Sequence, residues 1–186
     1  MPFPSKTNRE AILDAAVKQV EREGLAKLSL RSLASSLELA PNALYRYFAN
    51  RAHLEAAIAN EGASQLHATL VHAASEGDAE QAIRRVAQAY VDFARNNPAL
   101  YSVLMTPMAT WGEETSAHDE MWVFTVGLMG RLTGARQAPE AAVALWAFLH
   151  GIVTLGQAGV FGPQKPPAAF PYGLDAFLAG LPRFQA

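Results

Sequence analysis

The sequence predicts an all-α chain, with a small helical head joined by a long helix to a larger helical body. Three observations carry this. Apolar residues recur at three- and four-residue spacings through nearly every segment, the periodicity of an amphipathic helix. The interruptions are Gly, Pro, Asn and Ser clusters of the kind that stop and start helices. No alternating strand pattern bounded by hairpin turns occurs, and no internal repeat.

In chain order, Asn8 is placed to cap a first helix whose Ile12, Leu13, Ala16, Val17 and Val20 share a face, and Gly24 ends it. Ser29 caps a second helix with Leu30, Leu33, Ala34 and Leu37 on one side. Pro41 starts a third, because proline suits the first helical position and pushes Ala40 out of the α region. A long fourth helix is expected from Arg51 to Ala74, before the polar break "SEGDAE". From Glu80 to Asn96, Ile83, Val86, Ala87, Tyr90, Phe93 and Ala94 stand in helical register. "NNP" ends that run, and Pro98 opens a short helix through Met105. The turn formers of "TPMATWGEET" predict a loop, followed by helices over His118 to Leu132 and Pro139 to Gly159. A Gly/Pro-rich loop at 162–173 and a last short helix from Gly173 to Leu181 complete the chain. The expected division is a head over 1–55 and a body over 56–186.

Composition narrows the function. The 186 residues are 51% hydrophobic, enough apolar surface for a real core. The absence of cysteine excludes a disulfide framework, a thiolate metal site and cysteine nucleophile chemistry, and it fits a reducing cytoplasm. "MPFPSKTNRE" lacks the apolar run of a signal peptide, so export is not expected. Net charge is −2, but it is unevenly spread. Residues 1–60 hold eight Lys/Arg against six acids, and the rest hold seven against eleven, a mild bias toward phosphate at the head. The run from Ala141 to Gln164 carries no charge and is long enough to span a bilayer. It also holds His150, Thr154, Gln157, four glycines and a proline without basic flanks. A helix covered on both sides within a protein is therefore expected there, and no membrane partner.

The stretch "SLRSLASSLELAPNALYRYF", residues 29–48, carries the functional signal. Two short helices joined by a tight turn, the second presenting polar and aromatic residues near its start, is the layout of a helix-turn-helix. Leu33, Ala34, Leu37, Leu44 and Phe48 would hold the pair together, leaving Pro41, Asn42, Ala43, Tyr45 and Arg46 to face a major groove. Asn can pair bidentately with adenine and Arg with guanine, while Pro or Ala can touch a thymine methyl. Tyr hydroxyls and Arg51 can reach phosphates, which set register rather than sequence. Spacing alone leaves open an ordinary amphipathic helical hairpin.

Residues Ala11 to Ile58, and above all "LSLRSLASSL" followed by "NALYRYFANRAHL", resemble the N-terminal DNA-binding domain of the TetR/AcrR family of transcriptional regulators. The Leu-Tyr-x-Tyr-Phe run and the basic residue three beyond the Phe are marks of that family. The resemblance implies that Ser29 and Arg31 touch backbone or a base edge. It further implies that Pro41, Asn42, Ala43 and Tyr45 read the groove, and that Tyr47 and Arg51 hold phosphates. Two positions depart from the pattern. Glu38 stands where the turn usually has Gly, and Ala40 stands where a Ser or Thr would cap, a loss of about 1 kcal/mol.

"LWAFLHGIVTLGQAG", residues 145–159, resembles a C-terminal domain type of the same family marked by Trp-x-x-x-His-Gly, here Trp146, His150 and Gly151. The resemblance implies effector binding and dimerisation. Trp146, His150, Val153 and Gln157 fall on one stripe of this helix, and Phe148, Ile152 and Leu155 on another. One stripe could line a cavity and the other meet a partner, with Ala147 and Gly151 permitting close approach. Aromatic and methionine residues gather nearby, and Phe93, Tyr101, Met105, Trp111, Met121, Phe124, Trp146 and His150 form the candidate pocket. Each of these also reads as ordinary core, and His150 as a hydrogen-bonded core histidine.

Enzyme chemistry finds no support. "HDE" at 118–120 and "EE" at 113–114 lack a third metal partner, and there is no phosphate-cradling loop or nucleophile elbow. No catalytic residue, metal or cofactor is expected. The expected partners are a double-stranded DNA operator, a small apolar or aromatic effector and a second copy of the chain. The expected function is a ligand-responsive cytoplasmic repressor. A helical protein–protein adaptor is the alternative, which would leave the head's aromatic and basic helix without a role.

Overall fold

The computed structural model describes residues 8–75, 77–106, 117–162 and 168–183, with Pro41 described by its backbone. Among the described residues every regular element is helical. The α-helices are α1 (Arg9–Glu23), α2 (Leu30–Ser36), α3 (Pro41–Leu44), α4 (Arg51–Ala73) and α5 (Ala79–Asn96), then α6 (Pro98–Leu104), α7 (Ala117–Thr133), α8 (Ala138–Gln157) and α9 (Ala169–Gly180). A 3-10 turn, Leu25–Lys27, joins α1 to α2. The described residues form two compact units, one up to Gln65 with Asn97–Ala117, the other Leu66–Asn96 with the residues from His118 onward.

The first unit holds α1, α2, α3, α6 and the start of α4. Asn8 caps α1 as expected, its side chain accepting the Ala11 N–H at 2.8 Å. Gly24, at φ 81°, closes the helix in a backbone region that suits glycine. The α1 face of Ile12, Ala16 and Val20 is buried with Leu28, Leu33, Ala34, Leu44, Phe48, Leu54 and Ile58. Helix α6 belongs with this core. Glu21 on α1 accepts the Leu100 N–H at 2.7 Å, satisfying one of the orphan donors of the α6 first turn. Gly62 on α4 lets α6 approach closely, because a Cβ there would lie 3.0 Å from the Leu100 side chain. The boundary read at residue 55 leaves five residues of α4 in the head, whereas compact packing divides that helix after Gln65.

The second unit is organised on α5, which buries Ala82, Ile83, Val86, Ala87, Tyr90, Val91, Phe93 and Ala94 along one face. Helix α8 packs there through Ala141, Ala142, Leu145, Leu149 and Val153. Two hydrogen bonds fix its register: Trp146 Nε1 donates to Tyr90 Oη at 3.2 Å, and Gln157 Nε2 donates to the Ala94 carbonyl at 3.2 Å. Helix α9 starts at Ala169, four residues before the predicted start. Pro171 lies in its first turn, where a missing N–H costs nothing, and Gly173 lies inside the helix. A Cβ at Gly173 would come within 2.6 Å of the Phe148 ring, which lies between Phe170 and Phe177 at centroid distances of 6.3 and 6.5 Å. The residues that looked like a loop are the seat of a ring.

Helix α8 is long and apolar enough to cross a membrane, yet only 33% of its most hydrophobic window is buried within the chain. The expectation of a helix covered on both sides is not met by one copy. One face packs on α5, while Val143 and Leu155 are exposed and Trp146, at the edge of that contact, is exposed too.

Candidate nucleic-acid interface

The reading head is assembled from short-range rules. Ser29 adopts the extended backbone of an N-cap, and its hydroxyl accepts the Ser32 N–H at 3.3 Å. Gln19, buried on α1, donates to Ser32 Oγ at 2.8 Å and ties the first turn of α2 to α1. A buried amide needs such a partner, and the pairing orients α2 as well as satisfying the group. Sequence reasoning passed over Gln19, although a Gln among the inward positions of α1 was the available signal.

After Ser36 the chain turns back through Leu37, whose N–H reaches the Ala34 carbonyl at 3.2 Å, and Leu39, whose N–H reaches the same oxygen at 2.9 Å. Glu38 between them stands at φ 54°, left-handed backbone that glycine adopts without cost. The departure from Gly noticed in the sequence is thus met by a glutamate holding the glycine conformation. Ala40 supplies no side-chain cap, and Pro41 occupies the start of α3.

Helix α3 is only four residues long. Beyond it the bonds tighten, with the Arg46 N–H on the Ala43 carbonyl and the Tyr47 N–H on the Leu44 carbonyl. Phe48 returns to an α-type bond on Leu44 at 3.0 Å. Leu44 and Phe48 are buried and Leu37 is half-buried, so this face packs on α2. The other face presents exposed Asn42, Tyr45 and Arg46, with Ala43 and Tyr47 half-buried beside them. Ser29 and Arg31 are exposed at the start of α2. A helix-turn-helix with a polar and aromatic outer face is therefore present. Arg51, expected at a phosphate, is exposed and also has partners in its own chain. Its guanidinium binds Glu55 at 2.6 Å and the Leu28 and Leu25 carbonyls at 3.0 and 3.2 Å.

Residues 12–58 match the family described as bacterial regulatory proteins, tetR family, and residues 83–177 match the tetracyclin repressor-like C-terminal domain. The chain belongs to the TetR family. It is a DNA-binding transcriptional regulator, as that family is. The C-terminal description is broader than the Trp-x-x-x-His-Gly type. The TetR-family chain is 25% identical over 93% of its length to the uncharacterized HTH-type transcriptional regulator YobS of Bacillus subtilis, covering 92% of that protein. It is 27% identical, with a TM-score of 0.81, to a solved structure of a protein with unknown function from Rhodococcus sp. RHA1, covering 98% of this chain and 100% of that one. It shares its fold with BioQ bound to its double-stranded DNA operator, at TM-score 0.64 and 20% identity over 94% and 97% of the two chains.

The residues expected to line an effector pocket fall in both units. Phe93 is buried in α5, and Met121, Phe124 and His150 are half-buried on α7 and α8. Trp146 is 48% exposed despite its bond to Tyr90. Tyr101 and Met105 belong to the first unit, and Trp111 lies outside the described residues. A cleft of about 440 Å³ in the second unit is lined by Asp78, Ala79, Glu80, Gln81, Arg84, Leu132 and Arg183. Its ion pairs tie α9 to α5: Arg84 bridges Glu80 and Asp175, and Arg183 reaches Glu80 at 2.9 Å. Both arginines hold the Glu80 carboxyl below its ordinary range, mainly through their hydrogen bonds.

Of the residues expected at a dimer interface, Ala147 and Leu155 are exposed and Gly151 and Ile152 half-buried. Phe148 is turned to α9 of its own chain.

Proposed function

We propose that this TetR-family protein is a cytoplasmic homodimeric repressor that binds a palindromic operator and is released from it by a small apolar or aromatic effector. The observation that carries the DNA contact is the outer face of the second helix: Asn42, Tyr45 and Arg46 exposed, on a helix whose other face is buried against α2. Pro41, Asn42, Ala43 and Tyr45 read base edges, while Ser29, Arg31 and Tyr47 meet phosphates or a flanking edge. Two copies place their reading heads in successive major grooves, about 34–36 Å apart.

The dimer reading is supported by α8. An apolar helix with only a third of its most hydrophobic window buried by its own chain is suited to a self-complementary contact through Ala147, Gly151, Ile152 and Leu155. The effector reading is supported by the aromatic and methionine side chains of the second unit, Phe93, Met121, Phe124 and Trp146. Helix α4 contributes residues to both units, so it is the natural element to carry a change from effector to head. An effector's leverage equals its difference in affinity between the two states.

Unbiased selection of bound duplex DNA tests the reading, and a palindromic motif is expected. A protein that enriches no duplex would return the adaptor alternative. Compounds that raise the melting temperature should then be tried for operator release, with apolar or aromatic ones expected to act.

A further inference from the structure

The head contains a cation, its side chain 48% exposed, whose donors turn back onto the chain before α2. Arg51, the first residue of α4, sends Nη1 to the Leu28 carbonyl at 3.0 Å, Nη2 to the Leu25 carbonyl at 3.2 Å, and Nε to Glu55 Oε1 at 2.6 Å. Three separate acceptors are met by donors on three different nitrogens of one planar fork, a spread that the single nitrogen of an ammonium lacks. The carbonyls matter for where they lie. Leu25 opens the 3-10 turn between α1 and α2, and Leu28, itself buried, immediately precedes Ser29, the N-cap of α2. The first turn of α2 is thereby held from two sides, by Gln19 of α1 on Ser32 and by Arg51 of α4 beside Ser29.

We propose that Arg51 is a positioning residue of the DNA-reading head, which sets the placement of α2, and of α3 packed on it, by clamping the turn before α2 to the start of α4. The proposal rests on the DNA-binding reading and changes the role of one residue within it. A phosphate contact needs a positive charge at the protein surface, which lysine also supplies. A clamp needs the fork. Arg31 and Arg46 are exposed like Arg51, and among the described residues the network onto the turn before α2 is made by Arg51.

The discriminating experiment compares Arg51→Lys and Arg51→Ala with the parent on a selected duplex across a salt series, alongside amide hydrogen exchange of the free proteins. If Arg51 clamps, both variants lose specific affinity by about tenfold or more, since two charge-assisted bonds go in either. The slope of log affinity against log salt then stays at the parent value, because no phosphate contact is removed. Exchange at the Leu28 and Leu33 amides, which bond to the Leu25 and Ser29 carbonyls, rises in both variants without DNA present. Arg51→Lys with parent affinity and parent exchange overturns the proposal. So does a slope reduced by about 0.9 per contact in Arg51→Ala and restored in Arg51→Lys, which is the signature of a phosphate contact. Failure of the parent to bind any duplex would remove the DNA-binding reading, and the exchange comparison would still decide the clamp.

Discussion

Glu38 is where the helix turn is tightest, and its φ of 54° is left-handed backbone that disfavours any residue with a Cβ. Its side chain is exposed, so little packing is at stake. Glu38→Gly is expected to stabilise the protein by about 1 kcal/mol, since relief of the left-handed backbone outweighs the added chain entropy of glycine. Thermal melting checks this, and a lower melting temperature would mean that the glutamate side chain supports the turn. Asn42 is the residue best suited to pair with a base. Asn42→Ala should relax preference at one position in each half-site at a cost of about 1–3 kcal/mol, read by binding to a panel of single-base variants. Uniform weakening across the panel would make Asn42 a backbone contact instead.

Helix α9 is tethered by a ring and by charge. Gly173→Ala puts a methyl where the Phe148 ring lies, and that ring is itself held between Phe170 and Phe177. Overpacking of this kind costs about 1–3 kcal/mol, and proteolysis within α9 should quicken in the variant. The charged tether is pH-dependent with a definite sign. Glu80 has its carboxyl lowered from 4.5 by Arg84 and Arg183, so its contribution is present at neutral pH. That contribution is lost as pH falls from about 4.5 toward the lowered native value. Hydrogen exchange in α9, taken relative to the intrinsic rate at each pH, should rise over that acid window in the parent. In Glu80→Gln it should already be raised at pH 7 and change less on acidification; a parent-like profile would show that the ion pairs add nothing.

The assembled molecule should depend on the open face of α8. Leu155 is 42% exposed in one chain, so Leu155→Asp leaves the monomer core intact while placing an unpaired charge in a desolvated contact. Sedimentation should report a monomer that keeps its helical content, with operator affinity reduced because two heads no longer bind together. A parent protein that sediments as a monomer at micromolar concentration would remove the dimer reading.

The residues legible in advance were those governed by local chemistry. Helical periodicity placed α5 and α8 to within two residues, Asn8 and Ser29 were recognisable as caps, and Glu38 was marked as the residue that must accept the turn's backbone. The pattern Pro41 to Phe48 also announced which side would be buried and which would be free, because that follows from spacing along one helix and its continuation. Contacts between distant segments were not legible. Gly173 resembled part of a loop because its place inside a helix goes with the Phe148 ring, over twenty residues earlier in the chain. Glu21 gave no sign that it would meet the first turn of α6. Sequence by itself determined the helices, the turn and the chemistry of the reading face, since each is set within a few residues. Only tertiary structure decided that Arg51 spends its guanidinium on Leu25, Leu28 and Glu55, because a side chain's partners depend on which carbonyls folding brings within its reach.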